Sequence, residues 1–329
     1  MTATVTRMAL LGVAVSVLLA PLPSEAQRAD QALRLGVLSP IFPRGRHKML
    51  DLILNELRGQ GFVEGKNLLV EHRSALGRPE RLADLAGELA RLNVDVIMAE
   101  AAAIRAAQNA TTTIPIVMFS GDDPVRAGFV STLARPGGNI TGVALLAADL
   151  SVKRLEFLRM AIPRAQRVAI LLNPANPASR ARLTELSSAA GLLQLQLGIV
   201  EVRGPEQLDD AFAQIARARP DAFMTVPDPL FFRERLRIAD FAARIRLPMV
   251  SDWRQMADAG ALIAYGPSFS AIARRGATYI DRIFKGANPA ILPVEQPTEI
   301  DLVINLKTAR ALSLPIPQSL LLRANQVIE

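Results

Sequence analysis

Apolar and polar positions along this chain follow two periods, and the two keep taking turns. Apolar runs at 33–38, 67–71, 94–98 and 115–119 read as buried strands. Between them, apolar residues recur three and four apart: Leu50, Ile53, Leu54 and Leu57 within 46–60, then Leu82, Leu85, Leu89 and Leu92 within 78–93. That spacing puts one apolar stripe on each helix. Gly59-Gln60-Gly61 closes the first of them, because glycine accepts the left-handed backbone of a helix end. An alanine-rich helix follows over 99–110. After Gly142 the alternation starts again. Helices are expected over 150–162, 179–191, 205–218 and 231–245, and strands over 167–172, 195–202, 222–226, 248–250 and 261–265. A long helix over 270–284, a strand over 299–304 and a helix over 306–312 complete the pattern. Strands alternating with helices in this way make βαβ units and parallel sheets. The expected fold class is α/β, one architecture used twice, with a cleft between two similar lobes.

The chain is organised around Ile116-Val117-Met118-Phe119-Ser120-Gly121-Asp122-Asp123-Pro124 and the Pro136-Gly137-Gly138-Asn139 turn that follows. The first is a strand that ends in small and acidic residues. The second suits a sharp reversal or hinge. The same signature recurs at other strand ends: Ser39-Pro40, Ala99-Glu100-Ala101, Asn173-Pro174-Ala175-Asn176, Pro227-Asp228, Ser251-Asp252-Trp253 and Tyr265-Gly266. In an open α/β sheet the carboxyl ends of the strands are where ligands bind. Hydroxyls, carboxylates and free N–H groups gathered there suit a small zwitterion, with Trp253 and Tyr265 as stacking surfaces. Taken one at a time, the same residues also serve as ordinary turns and caps.

Composition narrows the choice. The 329 residues allow two domains, and half are hydrophobic, enough for two cores. Aromatics make up only 5%, so aliphatic side chains must fill those cores, and a nucleic-acid stacking surface is disfavoured. The formal net charge of +7 is scattered, with basic residues near acids as in Arg81/Asp84 and Arg233/Glu234/Arg237. Solvated helix faces account for that pattern, and no nucleic-acid partner is expected. Arg7, the apolar run 8–20 and the Ser24-Glu25-Ala26 site read as a cleavable signal peptide over 1–26, too short to span a bilayer. The absence of cysteine excludes disulfides, thiolate chemistry and a lipidated amino-terminal cysteine. An exported protein without an anchor fits the periplasm.

Catalytic signatures are missing. The two histidines, His47 and His72, fall in different elements and read as surface residues. No phosphate-binding loop, dinucleotide fingerprint or nucleophile elbow occurs. No enzyme activity, cofactor or metal is expected.

Longer blocks carry a family resemblance. They include Gly61-Phe62-Val63-Glu64-Gly65-Lys66-Asn67, Leu133-Ala134-Arg135-Pro136-Gly137-Gly138-Asn139-Ile140-Thr141-Gly142, Asn173-Pro174-Ala175-Asn176-Pro177, Pro227-Asp228-Pro229-Leu230-Phe231-Phe232 and Asp301-Leu302-Val303-Ile304-Asn305-Leu306-Lys307. Together they resemble the ABC-transporter substrate-binding family typified by tryptophan- and tyrosine-binding members, across nearly the whole mature chain. The resemblance implies a type I periplasmic-binding-protein fold: two Rossmann-like lobes joined by three crossovers. Lobe one would comprise 30–144 plus 266–288, and lobe two 145–265 plus 289–329. Ala99-Glu100-Ala101 departs from the family's Gly-Thr-Pro-like loop, and a carboxylate there favours a cationic ligand or faces solvent. The expected function is an exported solute-binding protein of an ABC importer, a monomer serving a membrane permease. It would close by a hinge on a small polar, amino-acid-like ligand. The expected ligand contacts are Ser39, Ser120 and Asp122 from lobe one and Asn173, Asn176, Asp228 and Asp252 from lobe two, with Tyr265 at the crossover. Two alternatives stay open: a sensing module that regulates a membrane partner, and an exported α/β hydrolase.

Overall fold

The computed structural model describes residues 32–121, 123–145, 148–176 and 178–329. The leader expected over 1–26 and the candidate contact Asp122 lie outside the described residues. Among the described residues no helix is long and apolar enough to cross a membrane.

Two sheets form the frame. The first holds β1 (Leu33–Ser39), β2 (Leu68–Ser74), β3 (Val96–Glu100), β4 (Ile116–Ser120) and β5 (Ile140–Ala144), in the order β2-β1-β3-β4-β5. All its pairings are parallel. Helices α1 (Lys48–Gly59), α2 (Leu82–Arg91) and α3 (Ala102–Ala110) make the crossovers. Of the predicted stripes, Leu50, Ile53 and Leu57 of α1 and Leu82, Leu85 and Leu89 of α2 are buried, joined by Met49 and Ala86, while Leu54 and Leu92 are half-buried.

The second sheet holds β6 (Arg167–Leu172), β7 (Gln196–Glu201), β8 (Ala222–Thr225), β9 (Met249–Ser251), β10 (Ile263–Pro267), β11 (Ile300–Asn305) and β12 (Gln326–Ile328). Its order is β12-β11-β10-β9-β8-β6-β7. Its helices are α4 (Ala148–Ala161), α5 (Ser179–Leu192), α6 (Leu208–Ala218), α7 (Pro229–Arg233), α8 (Arg235–Arg244), α9 (Arg254–Ala259), α11 (Leu306–Leu312) and α12 (Gln318–Leu321). The single helix expected over 231–245 is divided at Glu234, whose φ of −87° and ψ of 11° leave the helical well.

The long helix α10 (Phe269–Phe284) returns to the first sheet, where Ile272, Ala273, Ala277 and Ile280 share a core with Leu50, Ile53 and Leu57. The chain then stays there longer than expected. The Thr141 hydroxyl donates to the Leu292 carbonyl at 2.7 Å. Ala144 N–H donates to the Glu295 carbonyl at 2.9 Å, and Glu295 N–H donates to the Gly142 carbonyl at 3.0 Å. The expected lobe-two start at 289 is thus corrected: 289–295 lies on the first sheet, and the chain crosses between Glu295 and Ile300. Arriving from that side, β11 runs against β10, so the second sheet contains one antiparallel pair among its parallel ones.

Gly142 explains the close fit of β5 to β4. Its φ is +133°, and an added Cβ would stand 2.3 Å from the Met118 carbonyl oxygen. Backbone cannot yield as a flexible side chain can. Gly142→Ala is therefore expected to cost about 3 kcal/mol or more. Urea midpoints of the two proteins measure it, and an unchanged midpoint would show that the strand pair tolerates a side chain there.

Candidate functional site

Each sheet reverses its strand order once, between β1 and β3 in the first and between β6 and β8 in the second. Loops at such a reversal diverge to opposite faces and leave a crevice. Both crevices open onto one gap, which encloses a cavity of about 190 Å³. The wall is mainly apolar: Phe42, Met49, Phe119 and Phe269 come from the first lobe, and Phe232 and Trp253 from the second. Aromatic rings cross the gap in a chain. Phe42 meets Phe232 edge-on at 5.9 Å, Phe232 stacks on Phe269 at 5.7 Å, and Trp253 stands edge-on to Phe269 at 4.6 Å.

The strand ends deliver the polar groups. Asn176, Asp228 and Asp252 line the cavity. Asp228 caps α7 through the Leu230 N–H at 2.8 Å and accepts from Asn176 Nδ2 at 2.8 Å. Asn173 stands behind it, with Nδ2 3.3 Å from both carboxylate oxygens. Burial raises the Asp228 carboxyl above its ordinary value, although those donors oppose the rise. Asp252 accepts from the Ser251 hydroxyl at 2.9 Å, which in turn meets the Thr225 hydroxyl at 2.6 Å. Burial raises this carboxyl too, against the pull of Arg154. A glycine sets the Asp252 position: a Cβ on Gly266 would lie 2.2 Å from the Asp252 carbonyl oxygen.

Ser39 and Ser120 are buried at the ends of β1 and β4, and their neighbours Pro40 and Gly121 form the wall beside them. The Ser39 hydroxyl donates to Glu100 Oε1 at 3.1 Å. Tyr265 does not reach the cavity. Its ring meets Phe157 edge-on at 4.8 Å in the second core, because side chains alternate along β10 and its parity points inward.

The histidines depart from expectation. His47 is only 1% exposed, and its ring meets that of half-buried His72 edge-on at 5.7 Å. His47 Nδ1 accepts the Leu50 N–H at 3.1 Å and caps α1, which leaves Nε2 facing Glu100 Oε1 at 3.0 Å. Glu100 thus stands between a serine and a histidine. In a nucleophilic triad the imidazole occupies that middle place. Burial works against both ions, but their attraction wins: the Glu100 carboxyl is held below its ordinary value and the His47 imidazole above. Burial, the His47 charge and Arg44 together push His72 down to about 4.

Two arginines escaped the sequence reading. Arg182 of α5, 5% exposed, donates from Nη1 to the Pro227 carbonyl and from Nη2 to the Gly121 carbonyl, both at 2.9 Å. The second bond spans the gap between the lobes. Arg154 of α4, 1% exposed, lines the cavity and donates from Nε to the Tyr265 carbonyl at 2.7 Å.

Comparisons with known proteins agree with this geometry. Residues 34–328 match the family model described as ABC transporter substrate binding protein. A tyrosine-binding protein from Clostridioides difficile is 23% identical over 263 residues, 79% of this chain and 75% of that protein. An ABC domain in complex with L-Trp from Streptococcus pneumoniae superposes with a TM-score of 0.81 at 23% identity, covering 91% of this chain and all of that one. A ligand-free, open substrate binding protein from Clostridium difficile superposes with a TM-score of 0.65 at 21% identity, covering 90% and 99%.

The half-buried His72 has a measurable consequence. Unfolded, His72 takes up a proton near its ordinary 6.5; folded, it resists until about 4. Its contribution to stability is therefore present above 6.5 and lost as pH falls toward 4. Glu100, held below its ordinary value of 4.5, adds a loss below that value. His47 acts in the other window, its contribution fading as pH rises beyond 6.5. His72→Gln is expected to flatten the decline in urea midpoint between about pH 6.5 and 4. An identical pH profile for the variant would refute the assignment to His72.

Proposed function

Because the chain belongs to the ABC transporter substrate binding protein family, we propose that it is exported and delivers one small amphiphilic solute to a membrane permease. The observation that carries this reading is the cavity itself, an aromatic box with charged groups on its wall, built from both lobes. A solute that touches both lobes favours the closed state by its differential affinity. The state described here is closed, held by the aromatic chain and the Arg182–Gly121 bond. Its higher superposition on the L-Trp complex than on the open, ligand-free relative supports that. The aromatic lining favours an amino-acid-like ligand with a ring over a purely polar one, in line with the tryptophan and tyrosine of the relatives. Ser39, Ser120, Asn173, Asn176, Asp228 and Asp252 serve as wall or support for the ligand's polar end, and Tyr265 supports Arg154 through its carbonyl. The protein works as a monomer in the periplasm after removal of residues 1–26, with no chemical step on the ligand.

Protein purified from periplasmic extract, screened by thermal shift against amino acids and small aromatic acids, tests the proposal. A bound solute at about a thousand times its Kd adds about 4 kcal/mol and so raises Tm by several degrees. Folded protein that no low-mass solute stabilises would sink the reading. The closure is tested separately. Arg182→Gln removes both carbonyl bonds and is expected to enlarge the ligand-free radius of gyration in solution scattering. No change in that radius would show that Arg182 does not hold the lobes together.

A further inference from the structure

One charged group at the cavity wall is left short of partners. Arg154 Nε is bound to the Tyr265 carbonyl at 2.7 Å, and Nη1 to the Ser151 hydroxyl at 3.1 Å. Nη2 is buried and has no hydrogen-bond partner among the described residues. Burial, opposed by the nearby Asp252 charge, pushes the guanidinium down to about 10, so it stays charged at neutral pH. A buried cation with a free N–H costs several kcal/mol unless an anion completes it. The other buried arginine on the wall is already committed, since Arg182 gives Nη1 and Nη2 to main-chain carbonyls. The carboxylates on the wall are engaged as well: Glu100 by Ser39 and beside His47, Asp228 by two asparagines and the Leu230 N–H, and Asp252 by Ser251.

We propose that Arg154 Nη2 is the anchor for the ligand's carboxylate, and that the ligand class is an aromatic ring carrying a carboxylate on a short arm. This rests on the solute-binding reading above and sharpens it. The aromatic box takes the ring while Arg154 takes the acid. An ammonium group on the ligand is not required, because each wall carboxylate among the described residues already has a donor. Nη2 has no surface open to the cavity in the closed geometry, so the acid reaches it while the lobes are apart, and the wall beside Nη2 shifts to hold the acid on closure. The bonds to Tyr265 and Ser151 fix the guanidinium beforehand, which limits the entropy lost on binding.

The test compares matched probes by calorimetry on the periplasmic protein: indole-3-propionate and 3-phenylpropionate, their primary amides, tryptamine and L-tryptophan. The acids are expected to bind about 10–100-fold more tightly than their amides, and tryptamine to bind as weakly as the amides. Arg154→Gln is expected to remove that preference, so that the acids bind no more tightly than their amides, whatever the loss of the Tyr265 and Ser151 bonds does to binding as a whole. The comparison on the unaltered protein stands even if the variant fails to fold. Amides or tryptamine binding as tightly as the acids overturns the anchor and leaves solute binding intact. A variant that keeps the preference for acids also overturns it. If no probe or other aromatic solute binds, the solute-binding reading falls and the anchor with it.

Discussion

The position of the site follows from a topological constraint: each sheet must reverse its strand order somewhere, and the loops at the reversal cannot cover one another. Ser39 and Glu100 end the strands on either side of one reversal, and Asn173 and Asp228 follow the strands on either side of the other. The same backbone geometry therefore makes both halves of the crevice. The chain crossings keep the two halves facing, and Gly142 and Gly266 let strands come close enough to hold β4 and Asp252 in place.

The polar groups gathered there are costly, and the packing around them shows how the cost is met. Out of water, each carboxylate needs donors and each cation needs an acceptor. Glu100 has Ser39 and His47, Asp228 has two asparagine side chains and a helix N–H, and Asp252 has the Ser251–Thr225 hydroxyl pair. These partners come mostly from neighbouring strand ends of the same sheet. Each lobe thus settles its own carboxylates before the lobes meet. The gap itself is spanned by aromatic contacts and by the Arg182–Gly121 bond, interactions that break without stranding a charge.

The frame was legible because period decides it. The stripes of α1 and α2 and the short apolar runs between them leave little choice but βαβ units. The strand-end loops were legible for the same reason, since small and acidic residues mark where a buried run stops. The arginines were not. Arg154 shares its helix with Lys153, Glu156 and Arg159 and reads as part of a solvated face, yet it is the one turned toward the gap. A helix beside a cleft has two buried sides, so the rule that equates charge with solvent fails there. Tyr265 failed by strand parity, which one residue of register reverses. The histidine pair was invisible because α1 and β2 bring together residues that local spacing cannot relate. The late crossing after Glu295 likewise depends on hydrogen bonds to β5 that no local pattern announces.

In the proposed binding mode, only what a solute gains on closure can shift the lobes. Sealing an aromatic ring of about 150 Å² between them supplies at most about 4 kcal/mol at 25 cal/mol per Å². A carboxylate bond to Arg154 that forms while the lobes are apart contributes about 1.5–3 kcal/mol to affinity in both states and adds little to closure. The ring therefore favours the closed state and the acid holds the solute, so the two kinds of contact serve different ends.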